Sequence, residues 1–255
     1  MTAPSRVYAN LATLANALVG VGAIGYAWAG NPLWAVLLIV SGLGFDGLDG
    51  YLARRGNLPP SLFGRVADSV ADAITFGAAP AVLIGYHSAN VAGWSALAPW
   101  TTLVAAAIAG LAVVRLTYFT LTAFHEPFFI GAPTPQTALA IGTGLLLFDV
   151  PGVLGVDPGA ALGIAAVAAL LMVAPIRFPK IRRGALLRLP MTVTAVALVA
   201  AVLPFQFRPA RGSLPYDLAA GLTLVSAAGL IVYYLVGPFS VRASTPPPSS
   251  EVHRA

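Results

Sequence analysis

The chain of 255 residues contains no cysteine, which excludes disulfide frameworks and thiolate metal sites and leaves oxygen or imidazole nitrogen as the only strong metal donors. Charge is scarce too. Only 9% of the residues are charged against 58% hydrophobic, and the mean hydropathy is +0.84, a balance that excludes a soluble globular protein. No basic stripe or polar domain accompanies the net charge of +5, so nucleic acid is excluded as a partner. Three histidines are too few and too scattered for an imidazole site: His87 and His125 stand alone near segment ends, and His253 lies in the tail. A polytopic membrane protein remains, with a backbone that must satisfy its own hydrogen bonds as helices.

Apolar runs lie at roughly 9–29, 33–53, 63–86, 98–122, 135–149, 159–176, 190–206 and 216–237, which predicts an all-α integral membrane protein of about eight transmembrane helices. The fifth run is short. Gly131, Pro133 and Pro135 beside it predict a bent or partly re-entrant segment that must be covered by protein. If the amino terminus is cytoplasmic, Arg6, Arg54, Arg55, Arg65, Arg115, Arg177, Lys180, Arg182, Arg183, Arg188, Arg242 and Arg254 all fall inside, and only Arg208 and Arg211 fall outside. The positive-inside rule therefore predicts a cell-membrane protein with both termini cytoplasmic. Ala27-Trp28-Ala29 imitates a signal-peptidase site, but Asn10, Thr13 and Asn16 place a polar stripe in the first run that suits a cavity-facing helix better than a cleaved leader. Residues 241–255, with three consecutive prolines at Pro246, Pro247 and Pro248, read as a disordered tail.

Acids number nine in all, and four of them, Asp46, Asp49, Asp68 and Asp72, fall in two neighbouring apolar runs. An ionisable group at membrane depth costs roughly 3 kcal/mol unless something compensates, and so marks function by default. Asp46, Asp49, Gly50 and Ala53 recur at helical spacing, as do Gly64, Asp68 and Asp72, giving two stripes of acids beside small residues. Gly56, Pro59, Pro60 and Ser61 supply a helix stop and a helix start between them, with Ser61 as N-cap, so the stripes can face each other on antiparallel helices. Carboxylates that close stay ionised together when divalent cations hold them, and an all-oxygen set favours magnesium or manganese over zinc. Salt bridges to Arg54, Arg55 and Arg65 are the structural alternative. Four acids on two faces argue against it.

The run Asp46-Gly47-Leu48-Asp49-Gly50-Tyr51-Leu52-Ala53-Arg54, followed by Gly64-Arg65-Val66-Ala67-Asp68-Ser69-Val70-Ala71-Asp72, resembles the signature of the CDP-alcohol phosphatidyltransferases. The connector between Arg54 and Gly64 is one residue longer than is usual there. Ala71-Asp72 through Phe76-Gly77-Ala78-Ala79-Pro80, Phe129-Ile130-Gly131-Ala132-Pro133-Thr134-Pro135, and Leu171-Met172-Val173 through Arg177-Phe178-Pro179-Lys180 look like stretches of its phosphatidylserine synthase branch. The resemblance implies a six-helix membrane core over 1–183, two further helices over 184–240, a homodimer, and transfer of a phosphatidyl group from CDP-diacylglycerol to L-serine with release of CMP. It implies two divalent cations, Mg or Mn, on Asp46, Asp49, Asp68 and Asp72, with Asp72 also the general base. Gly50 and Arg54 would approach the diphosphate, joined by Asn10, Thr13, Ala53, Ser61 and Gly64 as contacts to the CDP-lipid.

Arg115 could clamp a serine carboxylate through its planar fork, or serve as a snorkelling topology anchor. A phosphate-bearing acceptor, glycerol 3-phosphate or inositol phosphate, would instead want converging cations such as Arg177, Lys180, Arg182 and Arg183, which read more simply as positive-inside anchors. An ion or proton transporter also uses membrane carboxylates, but on interrupted helices in related halves, and no such repeat is present.

Overall fold

The computed structural model describes residues 3–55, 62–90, 97–123, 128–179 and 185–244. Helices follow the apolar runs: α1 (Ala3–Trp28), α2 (Pro32–Arg55), α3 (Leu62–Asp72), α4 (Ala79–Asn90), α5 (Ala98–Tyr118), α6 (Thr134–Phe148), α7 (Pro158–Leu171), α8 (Ala185–Phe205) and α9 (Leu214–Ser244). A π-helical segment, Ala73–Ala78, joins α3 to α4 without a break, so the nine helices among the described residues make eight rods, and a second, Phe119–Ala123, extends α5. Among the described residues, five stretches are long and apolar enough to cross a bilayer: Val7–Trp28, Pro32–Ala53, Leu62–Tyr86, Ala98–Leu121 and Leu214–Val241. Thr134–Phe148, Pro158–Leu171 and Met191–Phe205 are shorter apolar helices. The chain is thus a multi-pass membrane protein.

Packing follows chain order at both ends, α1 against α2 and α8 against α9, while α9 also reaches α6 and α2 meets α8. The exposed apolar residues of α1, such as Val7, Leu11, Leu14, Leu18 and Val21, lie on the opposite side from its buried Ala12, Asn16 and Ala23, as a helix with one lipid face requires. The short α6 is the most enclosed element. Gln136 to Leu147 are all buried, so this helix never needs the length of a full span, and the expected covering by protein is realised.

A two-stranded antiparallel ribbon adds to the all-α architecture. β1 (Phe128–Ile130) pairs with β2 (Arg177–Pro179), with Phe129 opposite Phe178. Gly131 follows at φ +76, and a side chain there would run into the Met172 carbonyl, so only glycine permits this approach. Gly131 N donates to Ile176 O at 2.8 Å and Ala132 N to Leu171 O at 2.7 Å, tying the start of α6 to the end of α7. The two motifs therefore form one unit.

The connector prolines and Ser61 lie outside the described residues, as do His125, His253, Lys180, Arg182, Arg183 and the tail from 245 onward. The side chains of Arg54, Arg55 and His87 do so as well. α9 continues to Ser244, past the boundary at 240 expected from the sequence.

Candidate active site

Small residues decide how α1, α2 and the rod containing α3 meet. Gly20 of α1 and Gly42 of α2 both abut Thr75 in the π segment, and a β-carbon on either would overlap the threonine. Close backbone approach of this kind is what small residues provide in a membrane, where apolar burial gives helices little reason to associate. Thr75 Oγ1 donates to Asn16 O at 2.7 Å and locks the seam. The acidic halves of α2 and α3 then converge beside α1.

Asp46, Asp68 and Asp72 each offer a carboxylate oxygen within 4.8 Å of the others. The two stripes therefore face one another as their spacing predicts. Asp49, 7% exposed, belongs to the same charge cluster, since its field and those of Asp46 and Asp68 act on Asp72, yet it stands apart from the closest three. Its Oδ2 accepts a hydrogen bond from Thr13 Oγ1 at 2.9 Å. Asp72, buried, accepts at Oδ1 from Asn16 Nδ2 at 2.9 Å. Three carboxylates at this range repel strongly in a low dielectric, and a hard divalent cation is the partner that such a donor set fits.

The polar stripe of α1 thus divides. Thr13 and Asn16 hold two of the acids, whereas Asn10, one turn nearer the chain start, is exposed. Gly50, Ala53 and Gly64 are half-buried on α2 and α3, beside the acids in sequence. Asn16 is wholly buried and was visible in sequence only as one member of a stripe, without its role.

Arg115 does not snorkel. It is 7% exposed, its Nη1 donates to Thr134 Oγ1 at 2.6 Å, and its guanidinium carbon lies 5.4 Å from the Phe129 ring centroid. Asp72 is close enough to act on it electrostatically. An anchor would send its charge to water; this one is spent inside the protein beside the acids. Arg177, by contrast, is exposed and packs over Phe128 at 4.7 Å. Thr120 in the second π segment bonds Ser69 through their hydroxyls, and its carbonyl accepts from Arg65 Nη1 at 3.4 Å.

A model of the CDP-alcohol phosphatidyltransferase family matches residues 6–233, nearly the whole chain and well into α9. A CDP-diacylglycerol–serine O-phosphatidyltransferase of Helicobacter pylori is 32% identical over 183 residues, covering 71% of this chain and 75% of the relative. One from Bacillus subtilis is 32% identical over 176 residues, covering 68% and 90%. An archaetidylserine synthase of Methanothermobacter thermautotrophicus is 31% identical over 173 residues, covering 68% and 69%.

Proposed function

Because the chain belongs to the CDP-alcohol phosphatidyltransferase family and is a phosphatidyltransferase, we propose that its acceptor is L-serine, its donor CDP-diacylglycerol and its product phosphatidylserine. The observation that carries the acceptor is the buried Arg115 beside Asp72, a single guanidinium matched to one carboxylate. The three similar proteins, each named as a serine-lipid synthase, support the same reading.

In this mechanism the serine hydroxyl is too weak a nucleophile unaided and needs a base within hydrogen-bond reach. Asp72 is that base. Asn16 fixes its Oδ1, leaving Oδ2 for the proton. The serine oxygen bonds to the lipid-bearing phosphorus, the bond from that phosphorus to the CMP oxygen breaks, and the hydroxyl proton passes to Asp72. Asp46, Asp49, Asp68 and Asp72 are the residues that would hold two divalent cations, Mg or Mn, which when bound neutralise the diphosphate and the departing CMP. Thr13 holds Asp49 in place, and the burial of Arg115 keeps water from competing for the serine carboxylate.

Asn10, Thr13, Gly50, Ala53, Arg54, Ser61 and Gly64 make up the proposed contact surface for the CDP-lipid. Residues 1–183 are read as the catalytic core and 184–240 as two helices added to it, in a homodimer whose active sites face the cytoplasm across the cell membrane. The test is CMP release by the purified full chain with CDP-diacylglycerol and one acceptor at a time. Serine should drive release; release driven instead by glycerol 3-phosphate or inositol phosphate, with serine inert, refutes the assignment.

A further inference from the structure

The last helix brings two phenols to the place where Arg115 waits. Tyr233 and Tyr234 are neighbours on α9 with ring centroids 5.7 Å apart at 83°. Phe178 of β2 stacks on Tyr233 at 5.7 Å and 18° and meets Tyr234 edge-on at 5.9 Å. Opposite Phe178 in the ribbon is Phe129, whose ring carries the Arg115 guanidinium. Residues directly opposite in an antiparallel pair share a face, so Phe129 and Phe178 connect the phenols to the arginine. Tyr233, Tyr234 and Asp72 all act on Arg115 electrostatically, which places the four groups in one neighbourhood.

Tyr233 is fully buried, yet its hydroxyl has no hydrogen-bond partner among the described residues. The Tyr234 hydroxyl, also shielded, faces Thr137 without a well-formed bond, and Arg115 Nε is stranded in the same way. Buried polar groups are almost always paired. Phenylalanine would fill the same volumes without stranding a hydroxyl, so packing alone does not account for the two phenols. Two shielded phenols and the Nε of the cation beside them thus have no well-formed acceptor among the described residues, which is the donor set an added carboxylate would satisfy.

We infer that Tyr233 and Tyr234 are acceptor-binding residues whose hydroxyls, together with Arg115, receive the carboxylate of the amino-acid acceptor. The inference rests on the serine reading above. It makes α9 part of the acceptor site, and the two branch motifs the frame that holds it there.

The experiment compares Tyr233→Phe and Tyr234→Phe with the unaltered full chain, following CMP release while serine and CDP-diacylglycerol are varied separately. Each variant should raise the serine KM by about 10- to 150-fold, the loss of one hydrogen bond to a charged group, with kcat and the CDP-lipid KM within two-fold. An unaltered lipid KM shows that the variant is folded. With ethanolamine, which lacks the carboxylate, wild type and variants should be equally poor. A serine KM unchanged in both variants, or a loss confined to kcat, overturns the inference while the serine reading stands. If the unaltered chain does not use serine, the reading itself fails and takes the inference with it.

Discussion

Asn16→Ala should slow turnover because it removes a side chain that fixes the proposed base. Asn16 Nδ2 reaches Asp72 Oδ1 at 2.9 Å from a fully buried position, so no water stands ready to replace it. Hydrogen bonds to charged groups contribute about 1.5–3 kcal/mol. At 1.36 kcal/mol per factor of ten in rate, losing this one should lower kcat by about 10- to 150-fold. The loss should fall in kcat, because a carboxylate freed at Oδ1 rotates away from the acceptor proton. The Thr75 bond to Asn16 uses the backbone carbonyl and survives the substitution, which limits collateral damage to the seam. Asn16→Asp serves as the companion, since it preserves volume while replacing the donor with another acid beside Asp72. Both variants are assayed for CMP release at saturating substrates, with the CDP-lipid KM as the check on folding. Asn16→Asp within two-fold of wild type would assign the effect to packing and refute the reasoning, as would an unchanged kcat in Asn16→Ala.

Asp72→Asn should abolish turnover while substantially sparing CDP-lipid binding, measured by equilibrium binding of the donor; retained turnover removes Asp72 as the base. Chelation of divalent cations should stop CMP release, and added Mg or Mn should restore it, whereas Asp46→Asn and Asp68→Asn should require much more metal for half-activation. Gly42→Ala should destabilise the protein by about 1–3 kcal/mol, because its methyl group would displace Thr75 and approach the Asn16 amide at 2.8 Å; thermal unfolding in detergent and kcat should fall together. Gly131→Ala should disrupt the ribbon, where φ +76 and the Met172 carbonyl both exclude a side chain, and should raise the serine KM more than the CDP-lipid KM.

The rods and the acidic stripes were legible because each depends on local spacing. Apolar runs of membrane length give helices by the cost of exposed backbone alone, and Asp68 and Asp72 share a face at a separation of four residues wherever the helix lies. The sequence also placed a polar stripe on α1. It did not assign Asn16 to Asp72 or Thr13 to Asp49, because which carboxylate a stripe meets depends on how two helices cross. Arg115 stood open between clamp and anchor for a similar reason: burial is a tertiary fact, and the arginine is buried. Tyr233 and Tyr234 were overlooked entirely. A phenol pair within an apolar run was the available signal, since a buried tyrosine hydroxyl ordinarily seeks a partner.

Neither π-helical segment could be read from residue spacing, and both bear on where the chemistry sits. Ala73–Ala78 begins directly after Asp72, and Phe119–Ala123 begins four residues after Arg115. In an unbroken α-helix Phe76 would follow Asp72 on the acidic stripe at four-residue spacing and press an apolar ring toward the carboxylates. The wider i→i+5 turn re-aims what comes next. Phe76 enters the apolar core, Thr75 takes the seam between Gly20 and Gly42, and Gly77 meets Ala112 of α5, where a side chain would come within 2.9 Å. On α5 the same device brings Thr120 to Ser69, the residue after Asp68 and three residues before Asp72. The two rods that carry the proposed base and the arginine are therefore pinned to each other on either side of those residues, by contacts of Ser69 with Thr120 and of Gly77 with Ala112 that a regular helix in place of the π segments would aim elsewhere. Fixing both rods close to the reacting groups holds Asp72 and Arg115 at a constant separation, the condition for one acceptor to present its hydroxyl to the first and its carboxylate to the second.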